Sequence, residues 1–312
     1  SGWPDQYIKI LYNSLRLSAG WLNKIKLITF FWLLIAEILL LGGFFAIFKT
    51  LLRMSSFGLI ETIKVVNGRL VFKNLHVSRL HRSLKAIKID ETEYKIEDRI
   101  LRILKYECIG KGLKNFRLRI EVQKNKMHEY MPDVSPLKWH FTLRPLESVQ
   151  YLWREDGLSL TVLPKQTKPL DAFCNLKHTD RAIYDNALYY ARDHDFDEAL
   201  VLNENHTVAD ASIYNVFVIK DGIVYTPPLS DGPVAGVLRE LLLTRLEGFT
   251  IQEKSLEIAD IYAADEIFLT NVIRGIRWVS RCDDHYYGHT TTQRVFEAFR
   301  KVVAEHYGEH LV

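Results

Sequence analysis

The chain has 312 residues, 48% hydrophobic and 25% charged, enough for two ordinary domains or one large one around a sizeable core. Its 41 basic and 38 acidic residues leave a formal charge of +3, and no basic stripe is interleaved with aromatics, so a nucleic-acid binder is excluded. The three cysteines, Cys108, Cys174 and Cys282, stand far apart with no C-x-x-C pair; that speaks against a zinc site or a disulfide framework and for a reducing compartment.

From Thr29 to Phe48 the chain reads TFFWLLIAEILLLGGFFAIF, about one bilayer's thickness of helix with Glu37 as its one charge. Lys24 and Lys26 on one side and Lys49 and Arg53 on the other give no orientation. The run is too long, and starts too late, for an ordinary signal peptide. Three readings stand: a membrane anchor, a packing or dimerisation helix, or a leader foreign to the native protein, since Met54 sits where the remaining pattern begins.

From Met54 onward, Leu59–Val66 predicts a strand, and Asn67-Gly68 a hairpin turn into a second strand over Arg69–Phe72. Helical spacing of Val77, Leu80, Leu84 and Ile87 predicts a helix over His76–Ile87, and Glu93–Cys108 carries Ile96, Ile100, Ile103 and Leu104 on one face of another. Phe116–Gln123 alternates as a half-buried strand, Lys126–Leu137 reads as a loop, and Trp139–Arg144 as a strand. Arg144-Pro145-Leu146 then marks a junction. The expected organisation is an extension over 1–53, a small α/β domain over 54–144 and a larger one over 145–312.

Leu158–Leu163 predicts a further strand. Thr179 and Asp180 are placed to cap a helix over Arg181–His194, whose stripe of Tyr184, Leu188 and Ala191 reads as core. Leu200–Val208 reads as one strand ending just before Asp210; Asn215 and Phe217 lie on the next, and Asp221-Gly222 turns the chain towards a strand ending at Thr226. The turn Gly236-Val237-Leu238-Arg239 opens a helix within Pro233–Arg245. Strands over Thr250–Ser255 and Glu266–Thr270 flank a short helix at Ile258–Ala264, and an amphipathic helix over Thr292–His306 closes the chain.

Within this half, Lys177, Asp210 and the helix start at Val237 and Leu238 share one chemistry. A lysine amine forms a Schiff base with pyridoxal 5′-phosphate, an ionised carboxylate keeps a proton on the pyridine nitrogen, and a helix N-terminus receives a phosphate dianion. Each has a bland alternative: a surface lysine, a strand-ending acid, a glycine cap.

The wording of the segment goes further. VADASIYNVFVIKDGIVYTPPLSDGPVAGVLR, with Leu176-Lys177-His178 and Arg181 before it, resembles the class IV aminotransferases, the fold-type IV pyridoxal phosphate enzymes. Upstream, FGLIETIKVVNGRL and LHVSRLHRSL are similar to that family's opening strands and first helix; downstream, Ala264–Val279 is similar to its next strand and turn. The likeness runs from Met54 to the C-terminus and is nearest the aminodeoxychorismate lyase branch.

The resemblance implies a two-domain α/β (α+β) enzyme, D-amino acid aminotransferase-like and homodimeric, with Lys177 as Schiff-base residue and proton carrier. Its substrate would be an amino acid, or aminodeoxychorismate cleaved to pyruvate and 4-aminobenzoate on the folate route. It also implies phosphate contacts from Arg79, Val237, Leu238, Thr270 and the backbone near Asn271, and substrate contacts from Lys124 and Arg274. The pattern departs from the family at three places: Asp210 stands for glutamate, Leu238 for a common threonine, and Lys124 for an arginine. Those departures keep open an alternative, a non-catalytic, membrane-tethered relative retaining the fold as a binding scaffold.

Overall fold

A computed structural model describes residues 57–125, 128, 135–308 and 311. The apolar run over 29–48 and its three readings lie outside the described residues, among which no helix is long and apolar enough to cross a membrane.

The first sheet starts with β1 (Gly58–Val66), β-branched and buried along its whole length. Asn67 and Gly68 both take positive φ, 50° and 73°, and turn it into β2 (Arg69–Leu70). That strand is shorter than predicted because Phe72 adopts a left-handed conformation and starts α1 (Lys73–Ala86) directly. α2 (Glu93–Arg102) is capped by Thr92 and runs on as a π-helical segment through Cys108, where a plain helix was expected. β3 (Phe116–Lys124) and β4 (Leu137–Arg144) complete an antiparallel sheet in the order β2-β1-β3-β4.

Alternation gives this sheet two different faces. Leu59, Ile63, Leu118, Ile120 and Val122 bury against Val77, Leu80 and Leu84 of α1 and Ile96 and Ile100 of α2. Each such aliphatic side chain contributes about 1.5–3 kcal/mol of burial. The other face is polar: the register sets Thr62 opposite Arg119, Lys64 opposite Arg117, and Arg117 opposite Arg144.

Beyond Arg144 the strands join a second, mixed sheet. It comprises β5 (Leu158–Val162), β6 (Glu198–Leu202), β7 (Val208–Ala211), β8 (Asn215–Lys220), β9 (Ile223–Thr226), β10 (Ile251–Glu253), β11 (Glu266–Asn271), β12 (Gly275–Cys282) and β13 (His285–Tyr286). The order is β10-β9-β8-β11-β12-β5-β6-β7, with β13 on β12. α3 (Ala182–Asp193), α4 (Val237–Arg245), α5 (Ile258–Tyr262) and α6 (Thr290–Tyr307) pack on it. Leu241 and Leu242 of α4 and Val295, Phe296 and Phe299 of α6 meet Phe217 and Phe268 in one apolar core.

Two expectations need correction. The run Leu200–Val208 is a hairpin, β6 and β7, because Asn203 closes a turn: its Oδ1 accepts from Asn205 and Thr207, and His206 takes φ 61°. Asp210 therefore lies inside a strand rather than after one. The second concerns the helix cap: the cap position of α3 is Arg181, without a side-chain bond, while the Thr179 hydroxyl accepts from the Gly58 N–H at 3.0 Å.

Candidate active site

Lys177 is held by the first sheet although it lies in sequence between β5 and β6 of the second. The Ile60 N–H donates to its carbonyl at 2.7 Å, the Thr179 N–H donates to Gly58 O at 2.8 Å, and Leu59 pairs with His178. Residues 177–179 thus form one more antiparallel rung on β1. Lys177 lies opposite Ile60, on the sheet face that carries Thr62, Arg117 and Arg119. On its N-terminal side, Asn175 ties the same loop to the start of α4. Its amide donates to Leu229 O and Pro233 O, both at 2.8 Å, and its carbonyl accepts from the Ala235 N–H. Burial pushes the Lys177 ammonium down to about 7, helped by repulsion from Arg79 and Arg181 and opposed by Glu61. A lysine so placed is an amine nucleophile and a proton carrier near neutrality.

The anion cradle lies across this loop. Arg79, 5% exposed on α1, gives Nε and Nη2 to Glu61 at 2.8 and 2.5 Å and turns Nη1 to within 3.5 Å of Ala235 O, beside the α4 start. No side chain caps α4. Gly236 is required there, since a Cβ would come within 1.8 Å of Asn215 Oδ1. Leu238 packs into the core, leaving only its backbone N–H for the cradle. The Thr270 hydroxyl is buried without a partner, opposite Asn215 in the β8–β11 register. An arginine, free helical N–H groups and an orphan hydroxyl form a donor set that fits a phosphate dianion. Asn271 contributes differently: its Oδ1 accepts from the N–H groups of Ile273 and Arg274, so the side chain builds the turn.

Asp210, 2% exposed, anchors the other end. Its Oδ1 accepts from Asn215 at 2.9 Å; its Oδ2 accepts from the Tyr184 hydroxyl at 2.7 Å and the Val234 N–H at 3.0 Å, with Lys168 Nζ at 3.3 Å. The Tyr184 ring packs against the core as read, and its hydroxyl joins this network. Lys168 had no local signal at all, lying in the turn-rich TVLPKQTKPLD. Oδ1 keeps one lone pair, so the carboxylate can still receive an N–H from a ring.

The remaining predicted contacts divide. Arg274 pairs with Glu147 at 2.9 Å and donates to the Tyr214 hydroxyl at 3.1 Å. Lys124 stands exposed at the end of β3, where alternation puts it on the face opposite Arg117 and Arg119. A different group gathers beside Lys177. Burial lowers the Arg117 guanidinium, and Arg144, Arg119, Arg181 and Arg274 repel it further. Arg117 Nε is buried without a partner. Arg119, Arg181 and Arg274 have carboxylate partners; Arg117 and Arg144 meet none among the described residues. The signal was the alternation in FRLRIEVQ, which puts both of its arginines on one face.

A family model described as amino-transferase class IV matches residues 58–282. The aminodeoxychorismate lyase of Vibrio harveyi is 26% identical over 234 residues, 72% of this chain and 82% of the relative. A putative branched-chain-amino-acid aminotransferase of Methanocaldococcus jannaschii is 25% identical over 221 residues, 68% of this chain and 74% of the relative. Among solved structures, the branched-chain aminotransferase of Thermoproteus uzoniensis with norvaline matches with TM-score 0.67 at 25% identity, over 82% of this chain and 88% of that one.

Proposed function

Because the chain belongs to the class IV aminotransferases and is thus an enzyme dependent on pyridoxal 5′-phosphate, we propose that Lys177 carries the cofactor and that the reaction is cleavage of 4-amino-4-deoxychorismate to pyruvate and 4-aminobenzoate, for folate synthesis. The bound cofactor supplies an electron sink. Arg79, Thr270 and the N–H groups of Val237 and Leu238 would hold its phosphate, and Asp210 would meet its ring nitrogen. The Lys177 amine takes the proton from the carbon bearing the substrate amine. The C–O bond to the enolpyruvyl group then breaks as the ring becomes aromatic, and the enolate released takes the proton back from the Lys177 ammonium and leaves as pyruvate.

The observation that carries the lyase reading over amino transfer is the pair Arg117 and Arg144, opposite one another across β3 and β4 and with no carboxylate partner among the described residues. The substrate brings two carboxylates, where a branched-chain amino acid brings one; bidentate arginines suit both. Arg117 also lies near enough to depress Lys177. We further take the enzyme to be a cytoplasmic homodimer; its three free cysteines suit a reducing compartment.

The test uses the full chain loaded with pyridoxal 5′-phosphate. Pyruvate release from aminodeoxychorismate is compared with keto-acid formation from L- and D-amino acids. Borohydride should abolish the yellow band and leave the label on the peptide containing Lys177, and Lys177→Ala should lose about 10⁴-fold in kcat. Keto acids without pyruvate would replace the lyase by an aminotransferase, and a label elsewhere would remove Lys177 from its role.

A further inference from the structure

Lys168 has no part in the steps above, yet it is as deeply placed as the acid. It is 4% exposed, in the loop after β5. Its N–H donates to Leu202 O at 2.8 Å and its carbonyl accepts from the Glu204 N–H at 3.2 Å, so the backbone is pinned on both sides. Its Nζ donates to Gly232 O at 2.5 Å, hydrogen-bonds the Tyr184 hydroxyl and lies 3.3 Å from Asp210 Oδ2. An ammonium is seldom buried without a purpose, because desolvating it costs several kcal/mol on the order of what an ion pair returns.

The bonds around Asp210 show what the lysine does. Oδ2 faces three donors, Tyr184, the Val234 N–H and the Lys168 ammonium, which turn that oxygen away from further partners. Oδ1 has Asn215 alone. Lys168 is the one ion-pair partner of Asp210 among the described residues. Cys174 and Arg181 also stand around the pair, and Asp231 precedes the Gly232 that Lys168 bonds. The Asp231 backbone carbonyl accepts from Asn203, and Arg181 is engaged by Asp185. The acid that meets the site is therefore one half of a charge-compensated pair.

We propose that Lys168 is a positioning residue that aims Oδ1 of Asp210 into the site and offsets its charge, so that the cofactor's ring nitrogen holds its proton more weakly than beside a lone carboxylate. This rests on the reading that Asp210 faces that nitrogen. An ammonium close behind a carboxylate opposes a third positive charge on the far side. The ring is then a weaker electron sink. Such a sink is sufficient where aromatisation of the product drives the bond-breaking, and insufficient for amino transfer, which has no such drive.

The test uses the full chain loaded with pyridoxal phosphate carrying ¹⁵N in the ring, as wild type, Lys168→Met and Lys168→Arg. The wild-type ring resonance should lie towards the unprotonated limit at neutral pH. It should move to the protonated limit in Lys168→Met and stay at the wild-type position in Lys168→Arg. The ratio of keto acid formed to pyruvate released should rise several-fold in Lys168→Met alone. A wild-type resonance already at the protonated limit overturns the proposal without recourse to a variant. So does a folded, yellow Lys168→Met that melts earlier but leaves the resonance unmoved, as a merely structural lysine would. A wild type that never turns yellow overturns the reading of Lys177 itself, and the proposal with it.

Discussion

Each sheet carries a buried acid with a buried cation, and the two pairs are built differently. Glu61 on β1, 1% exposed, is closed on every side: Arg79 grips both oxygens, and His76 Nδ1 lies 2.6 Å from Oε2. Burial pushes this carboxyl up, but the Arg79 charge and the bonds from His76 and Arg79 outweigh it and bring it down to about 2. Asp210 on β7 meets its cation at 3.3 Å, takes most of its bonds from neutral donors and keeps one oxygen edge open. The closed pair is a clamp that orients an arginine. The open pair is a receptor. Burial of a charge alone does not separate the two; the number of lone pairs left over does.

The largest way to break this contrast is Arg79→Met, which strands Glu61 in the core. It should lose about 3–5 kcal/mol of stability in denaturant unfolding, with weaker pyridoxal phosphate binding besides. Asp210→Asn, which keeps acceptors for Tyr184 and Val234, should lose only about 1–3 kcal/mol; equal losses would make the two pairs alike. The clamp also predicts an acid limb. Since the folded Glu61 value, about 2, lies below the ordinary 4.5, its contribution is present above 4.5 and disappears as pH falls towards 2. Glu61→Gln should flatten stability across that window.

A smaller effect concerns the lysine between the pairs. Burial first, then Arg79 and Arg181, set Lys177 near 7. Arg181→Gln should therefore move the pH midpoint for its reaction with pyridoxal phosphate upward by about 1 unit, followed by absorbance. The smallest concerns a third acid, Glu198 on β6, whose carboxyl burial raises to about 7 and whose Oε2 has no partner. A raised carboxyl stabilises below its unfolded value and loses that contribution as pH climbs to 7. Glu198→Gln should thus gain about 1 kcal/mol at pH 8 in thermal unfolding.

Much of the fold was legible where local chemistry decides it. Asn67-Gly68 turned the first hairpin, apolar spacing placed α1, and Gly236 opened α4. Lys177, Asp210 and the α4 start stood out because their chemistry suits one cofactor, whereas Thr270 and Arg79 entered only through the family resemblance of their stretches. What stayed hidden depended on distant partners. Tyr184 lies on an apolar stripe, and only the docking of α3 beside β7 shows its hydroxyl at Asp210. Lys168 is ordinary in its own stretch and becomes informative only when Gly232, from the far loop, lies beside it. The β6–β7 hairpin was missed because its turn uses the Asn203 side chain and a histidine at positive φ, with no glycine to mark it. Thr179 was read as a helix cap because the rung to β1 spans more than a hundred residues of chain.

The two faces of β1 carry one further implication. Glu61 points to α1 and fixes Arg79, whereas Thr62 and Lys64 point the other way, among Arg117, Arg119 and Arg144. The Glu61–Arg79 clamp and the arginine cluster are thus wired to opposite sides of one ribbon, with Lys177 on the side of the arginines. Exchanging the outward residues of β3 and β4 can redirect what the enzyme accepts and retune Lys177 while leaving the clamp on Arg79 in place, so a lineage of such proteins can diversify its diet while inheriting that anchor.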